Sequence, residues 1–310
     1  MTGDESRFVN GPFAGRKLAE AWPQMSVDWR GTLAQRESMF PLLVKFLFAE
    51  DKPSVQVHPD DAYAAKHEAA AGGRGKTEMW YIHRARPGAG VQAGLKPDVT
   101  PEKFKRAIVD GTAEACLEHI PLHEGDAVFV PAGTAHTIGA GLVICEIQET
   151  SDLTYRVYDY NRRDAKGNMR PLHIQKALDV MRFGRQSGGK LDPVQVKSGN
   201  VTKTYFVACR YFATERWDFT ERVATTVCSH HFDLVVFLEG NGSIRWGSDS
   251  AEYGPAQVWM IPAALGAYQM VPDARTSLLR TFVPGDLSQY VRRLEDQGVS
   301  KADWSRIIFR

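Results

Sequence analysis

The chain repeats part of itself. Glu124-Gly125-Asp126-Ala127-Val128-Phe129-Val130-Pro131-Ala132-Gly133-Thr134 is echoed by Tyr253-Gly254-Pro255-Ala256-Gln257-Val258-Trp259-Met260-Ile261-Pro262-Ala263-Ala264-Leu265. Each copy is a turn, a short apolar run and a Pro-Ala stop, so the chain is expected to fold as two similar β units. Laying Val130-Pro131-Ala132 on Ile261-Pro262-Ala263 sets His136 against Ala267, so only the first copy keeps its histidine.

The rest of the pattern agrees with a β fold. Aromatic and β-branched runs at 41–48, 54–58, 79–83, 127–131, 142–148, 204–208, 233–238, 243–246, 258–262 and 277–283 are separated by Gly, Pro and Asp turns. Many short strands with such punctuation predict an all-β sandwich or barrel. Helical signals are fewer. Residues 60–71 open on a Pro-Asp-Asp cap and are rich in alanine, and 101–120 open on Thr-Pro-Glu-Lys. Residues 288–298 and 301–309 predict a helical tail. The polar, glycine-rich stretch 185–192 is the expected boundary between units 1–185 and 192–310.

Bulk properties exclude several classes. With 310 residues, two medium domains fit. The 38 basic and 37 acidic residues nearly cancel, which argues against nucleic acid or an anionic membrane as partner, so an anionic ligand must be held locally. No apolar run spans a bilayer, and 1–7 is too polar for a secretory signal. Cys116, Cys145, Cys209 and Cys228 are scattered, without a C-x-x-C pair, as expected of thiols in a reducing cytoplasm.

Three segments carry the chemistry: Gln56-Val57-His58, Lys76-Thr77-Glu78 and Thr134-Ala135-His136. Strand side chains alternate, so Gln56 and His58 share one face, and Lys76 and Glu78 share another. An amide oxygen, two imidazoles and a carboxylate converging inside a barrel form a divalent metal site, with zinc as the leading candidate. Glu78 is the strongest case, because a carboxylate inside a barrel costs several kcal/mol unless a cation compensates. Asp152, Thr154 and Arg156 would share a face if their segment is extended. The bland alternatives are a barrel-lining amide, satisfied core histidines, a loop lysine and a surface Asp–Arg pair. His230-His231 with Asp233 reads as a vestigial ligand strand in the second unit. Lys45 ends up in the cleft or in solvent, and Trp80, Trp246 and Trp259 are expected in cores.

Phe40-Pro41-Leu42-Leu43-Val44-Lys45, the stretches 54–61, 75–82 and 130–136, and Gln148-Glu149-Thr150-Ser151-Asp152-Leu153-Thr154-Tyr155-Arg156 continuing to Arg162 together resemble the type I phosphomannose isomerases of the cupin superfamily, in their short bacterial form. The resemblance covers most of the chain. It implies two cupin-type jelly-roll barrels, the first (1–185) binding metal and catalytic, the second (192–310) degenerate with a helical tail. It implies one Zn²⁺ per chain on Gln56, His58, Glu78 and His136, an active-site Arg156, and substrate-handling roles for Lys76 and Asp152. The family's N-terminal Trp-Gly-Gly and Gly-Glu-x-Trp segments are missing here, and the chain joins the pattern near Ser6-Arg7-Phe8.

The expected activity is a cytoplasmic isomerase, monomeric or homodimeric, that interconverts mannose 6-phosphate and fructose 6-phosphate through an enediol. The identity of the base stays open. The alternatives are a non-catalytic sugar-phosphate-binding cupin, and an Fe(II) cupin oxygenase, against which the extra ligand Gln56 argues.

Overall fold

A computed structural model describes residues 6–184 and 188–310. The chain divides into two compact units, Leu42–Leu191 and Met1–Pro41 with Asp192–Arg310. Arg185, Gln186 and Ser187, part of the expected boundary, lie outside the described residues. The described break falls between Leu191 and Asp192. The first 41 residues group with the second unit, whereas the sequence had placed them with the first. Aromatic packing is the physical reason. Trp22 is buried edge-on to Phe40 and Phe232, at 5.0 and 5.7 Å between ring centroids. Leu33 N–H donates to the His230 carbonyl at 3.0 Å. Gly31, at φ +74°, passes so close to the His230 backbone that no side chain fits there.

In the first unit, β1 (Leu42–Ala49), β8 (Leu142–Glu149), β3 (Glu78–Ala85), β6 (Ala127–Val130) and β10 (Gly189–Lys190) form one antiparallel sheet in that order. The facing sheet runs β5 (Leu117–Pro121), β4 (Gly90–Leu95), β7 (His136–Ile138), β2 (Val55–Val57) and β9 (Tyr155–Tyr158). Among the described residues, two apolar clusters pack inside the unit. One is built around Trp80, Val91, Val128 and Ile144, the other around Val55, Val57, Phe104 and Val157.

Helices sit between strands. Asp60 caps α1 (Asp61–His67) by accepting from Tyr63 N–H, and Thr100 caps α2 (Pro101–Val109) by accepting from Lys103 N–H. The helix expected over 101–120 therefore stops at Val109, and the apolar residues that follow belong to β5. A third helix, α3 (Ile174–Val180), packs on β9.

The second unit repeats the plan. One sheet runs β11 (Val194–Ser198), β12 (Val201–Ala208), β13 (Ala213–Phe219), β20 (Thr276–Phe282), β15 (Asp233–Glu239) and β18 (Val258–Ile261). The other runs β14 (Val223–Thr226), β19 (Ala267–Pro272), β16 (Gly242–Trp246) and β17 (Asp249–Tyr253). α4 (Leu287–Asp296) and a short turn of helix, Lys301–Trp304, close it; their apolar residues join Tyr205 and Phe282 in one cluster. Both units are cupin-type jelly rolls. Among the described residues no helix is long and apolar enough to cross a membrane.

Candidate active site

Register brings the sequence candidates together inside the first unit. On one sheet, Gln56 of β2 pairs with His136 of β7 on one side and Arg156 of β9 on the other. Directly paired residues point the same way, so three side chains project side by side from that sheet. On the facing sheet, Glu78 opens β3 opposite Gln148 of β8, and Trp80 pairs with Glu146, which in turn pairs with Lys45 of β1.

His58, Glu78 and His136 form the floor, each at most 1% exposed. Their donor atoms all lie within 4.8 Å of one another. His58 Nε2 is 3.3 Å from Glu78 Oε1, and His136 Nε2 is 3.9 Å from Glu78 Oε2. The far nitrogen of each ring is anchored to the backbone: His58 Nδ1 lies 2.8 Å from the Leu153 carbonyl and His136 Nδ1 2.9 Å from that of Thr134. A carbonyl only accepts, so both Nδ1 atoms carry the proton and both Nε2 lone pairs face Glu78. Burial, reinforced by the neighbouring imidazole of His58, pushes His136 down to about 3. Burial and Lys76 together lower His58. Two neutral rings with their free nitrogens turned toward a carboxylate are the form in which histidines bind metal, and the backbone carbonyls behind them are the usual orienting partners.

Glu78 completes the donor set. Burial opposes its ionisation, but Lys76 beside it, with His58, holds its carboxyl well below the usual range. Its Oε2 accepts from the Trp80 indole N–H at 3.0 Å. Its Oε1 is buried without a hydrogen bond of proper geometry, although Lys76 Nζ lies at 2.5 Å. The chemistry of the set, a buried carboxylate with one oxygen toward each of two imine nitrogens, fits a divalent cation. Gln56 reaches the same place, its Nε2 3.2 Å from His136 Nε2.

Lys76 is 6% exposed and donates to His58 Nε2 at 3.2 Å, so it belongs to the floor of the site. Arg156 is half-buried. Its Nη1 donates to the Pro171 carbonyl at 3.1 Å, while its Nε is buried without a partner. Asp152 lies before β9 begins, in irregular backbone, so strand parity does not align it with Arg156. Its carboxylate is 44% exposed and stands 3.8 Å from Lys45 Nζ.

Four residues were missed or left undecided by sequence reasoning. Glu146, 5% exposed, accepts from the same Trp80 N–H at 3.1 Å and lies 3.6 Å from Lys45 Nζ. Burial and the charge of Glu78 push its carboxyl up to about 7, against the pull of Lys76 and Lys45. Gln148, fully buried, accepts from Lys45 Nζ at 3.0 Å. The available signal was a charged residue inside the otherwise apolar run Leu142-Val143-Ile144-Cys145-Glu146-Ile147. Such a residue needs a reason to be buried.

No family model matches the sequence. Curated relatives do. The mannose-6-phosphate isomerase of Streptococcus mutans is 36% identical over 264 residues, spanning 85% of this chain and 80% of that protein. Mannose-6-phosphate isomerase ManA of Bacillus subtilis is 33% identical over 86% of this chain and 82% of its own length. The chain belongs to the mannose-6-phosphate isomerase family. Among solved structures, the mannose 6-phosphate isomerase from Bacillus subtilis matches with a TM-score of 0.81 at 29% identity, over 91% of this chain and 87% of that one. A variant of the phosphomannose isomerase from Salmonella typhimurium shares the fold, with a TM-score of 0.68 at 16% identity over 86% and 85% of the two chains.

Proposed function

We propose that the chain is a zinc-dependent aldose–ketose isomerase that interconverts mannose 6-phosphate and fructose 6-phosphate through an enediol. The observation that carries the proposal is the convergence of His58, Glu78 and His136, beside a second buried carboxyl, Glu146, in a chain of this family. Gln56, His58, Glu78 and His136 would hold the ion, with the Gln56 amide turned to present its oxygen. A bound Zn²⁺ supplies Lewis-acid stabilisation of charge developing on the C1 and C2 oxygens.

The chain's own residues then divide the work. Isomerisation removes the proton on C2 of the open-chain aldose and delivers one to C1 of the ketose. A carboxyl that titrates near neutrality does both, as base and then as acid, and Glu146 answers that need better than the half-exposed Asp152. Lys45 stands between Glu146 and Asp152 and holds both carboxyl groups. Lys76, buried against Glu78, steadies the reacting end, and its burial argues against the phosphate as its partner. Arg156 is permanently cationic and beside Gln56, so it receives an anionic part of the substrate, enediolate or phosphate.

The test is mannose 6-phosphate conversion before and after chelation, and in Arg156→Ala. Activity should vanish with the metal, return with zinc, and drop in the variant. Undiminished activity in both arms would defeat the proposal. Ligand-induced thermal stabilisation without turnover would favour a non-catalytic sugar-phosphate binder.

A further inference from the structure

We propose that Trp80 is a positioning residue of this site, its single indole N–H holding both Glu78 and Glu146 and so fixing which Glu78 oxygen is turned toward His58. The inference rests on the reading of His58, Glu78 and His136 as a metal centre. Trp80 follows Glu78 by two residues and therefore shares its face, and it lies directly across the sheet from Glu146. It is fully buried. Nε1 donates to Glu78 Oε2 at 3.0 Å and to Glu146 Oε1 at 3.1 Å, and the ring stands edge-on to His136, 5.3 Å between centroids at 73°. One residue thus touches a carboxylate and an imidazole of the donor set and the carboxyl expected to move the proton.

With Oε2 occupied by the indole, Oε1 is the oxygen left turned toward His58 and Lys76. A buried tryptophan N–H normally finds one acceptor. Here it is shared between two carboxyl groups, which ties the orientation of Glu146 to that of Glu78. The second unit supplies an internal contrast. Asp233 holds the place of Glu78, and the residue two further on is Val235, which has no donor. There the side chain opposite, Arg280, reaches the acid itself and takes both of its oxygens, at 2.7 and 2.9 Å. An indole at this position keeps a donor between the two carboxyl groups, where an aliphatic residue leaves the acid to its cross-strand neighbour.

The test is zinc affinity of the full-length protein by chelator competition, in the wild type and in Trp80→Phe. Phenylalanine keeps the ring among Ile82, Val128 and Ile144 and removes the N–H. The variant should bind zinc about 10- to 100-fold more weakly, the usual effect of losing a partner that orients a metal ligand. Once zinc-saturated, it should lose kcat more than it changes KM. Ile82→Val, from the same strand and cluster, should leave zinc affinity unchanged although it thins the core. Wild-type zinc affinity in Trp80→Phe overturns the inference and leaves the metal reading standing, whereas a wild type that binds no zinc overturns both. If Trp80→Phe does not fold, ¹⁵N-indole spectra of the chain, which has seven tryptophans, give a second readout. The same single indole signal should move on Glu146→Gln and on zinc addition. No signal responding to both overturns the proposal.

Discussion

Glu78 and Asp233 hold the same register position in the two units: each opens its strand opposite the residue before a proline, Val130 in one and Ile261 in the other. Around Glu78 stand two imidazoles and a lysine. Around Asp233 the equivalent room is filled by the Arg280 guanidinium, which also donates to Glu215 at 2.5 Å. The cation of the second unit is therefore part of the chain. Arg280→Met leaves two carboxylates buried without it, and the unit is expected to lose about 3–5 kcal/mol. Urea unfolding followed by the fluorescence of the unit's tryptophans, Trp217 among them, measures this; a loss below one tenth of that range would show the network to be dispensable.

Acid should act on the same network. Burial opposes ionisation of Asp233, but the Arg280 guanidinium overrides it and holds the carboxyl below its ordinary value. Its stabilising effect is complete above the unfolded value, about 3.9, and is lost as pH falls through the lower folded one. Asp159, held low by Arg170 and Arg162 against its burial, adds to the same acid limb in the first unit. Thermal melts of Asp233→Asn between neutrality and strong acid should be less stable at neutral pH and flatter in acid than the wild type.

Glu146→Gln removes the carboxyl without removing a proposed metal ligand. Zinc content should stay at the wild-type level while kcat falls about 10²- to 10⁴-fold, the usual contribution of a general acid–base group. Steady-state kinetics and elemental analysis on one preparation check both halves. Loss of zinc together with activity would move Glu146 into the donor set.

Zinc should stabilise the folded chain through His136. At a free concentration of one hundred times Kd, a ligand specific to the native state adds about 2.7 kcal/mol. Thermal melts with and without zinc should show that shift in the wild type and lose it in His136→Ala. Among the described residues the second unit offers no substitute, since Thr226, Cys228 and Ala267 stand where Gln56, His58 and His136 stand in the first.

Much of this was legible in the sequence, for identifiable reasons. Strand parity grouped Gln56 with His58. The Pro-Ala overlay set His136 against Ala267, and both residues open the strand after that turn. Glu146 escaped because β8 is buried along nearly its whole length, so its apolar run has no alternation to mark the residues that point inward. Asp152 was grouped with Arg156 because parity was extended over residues that never become strand. Residues 117–120 were read into the helix before them, since Leu117-Glu118-His119-Ile120 fits a helical period as well as an extended one. The shared donor Trp80 lay beyond reach, because an indole placed in a core says nothing of which acceptors surround it.

The central claim is that two imidazoles, one carboxylate and one amide hold a single zinc ion in the first unit. X-ray absorption at the zinc K edge, on protein loaded with one equivalent, tests it most directly. The expected spectrum has a nitrogen/oxygen shell at about 2.0–2.2 Å with the outer scattering of two imidazole rings, reduced to one ring in His136→Ala. Sulfur ligands, a shell without imidazole, or a spectrum unaltered by that substitution would contradict it.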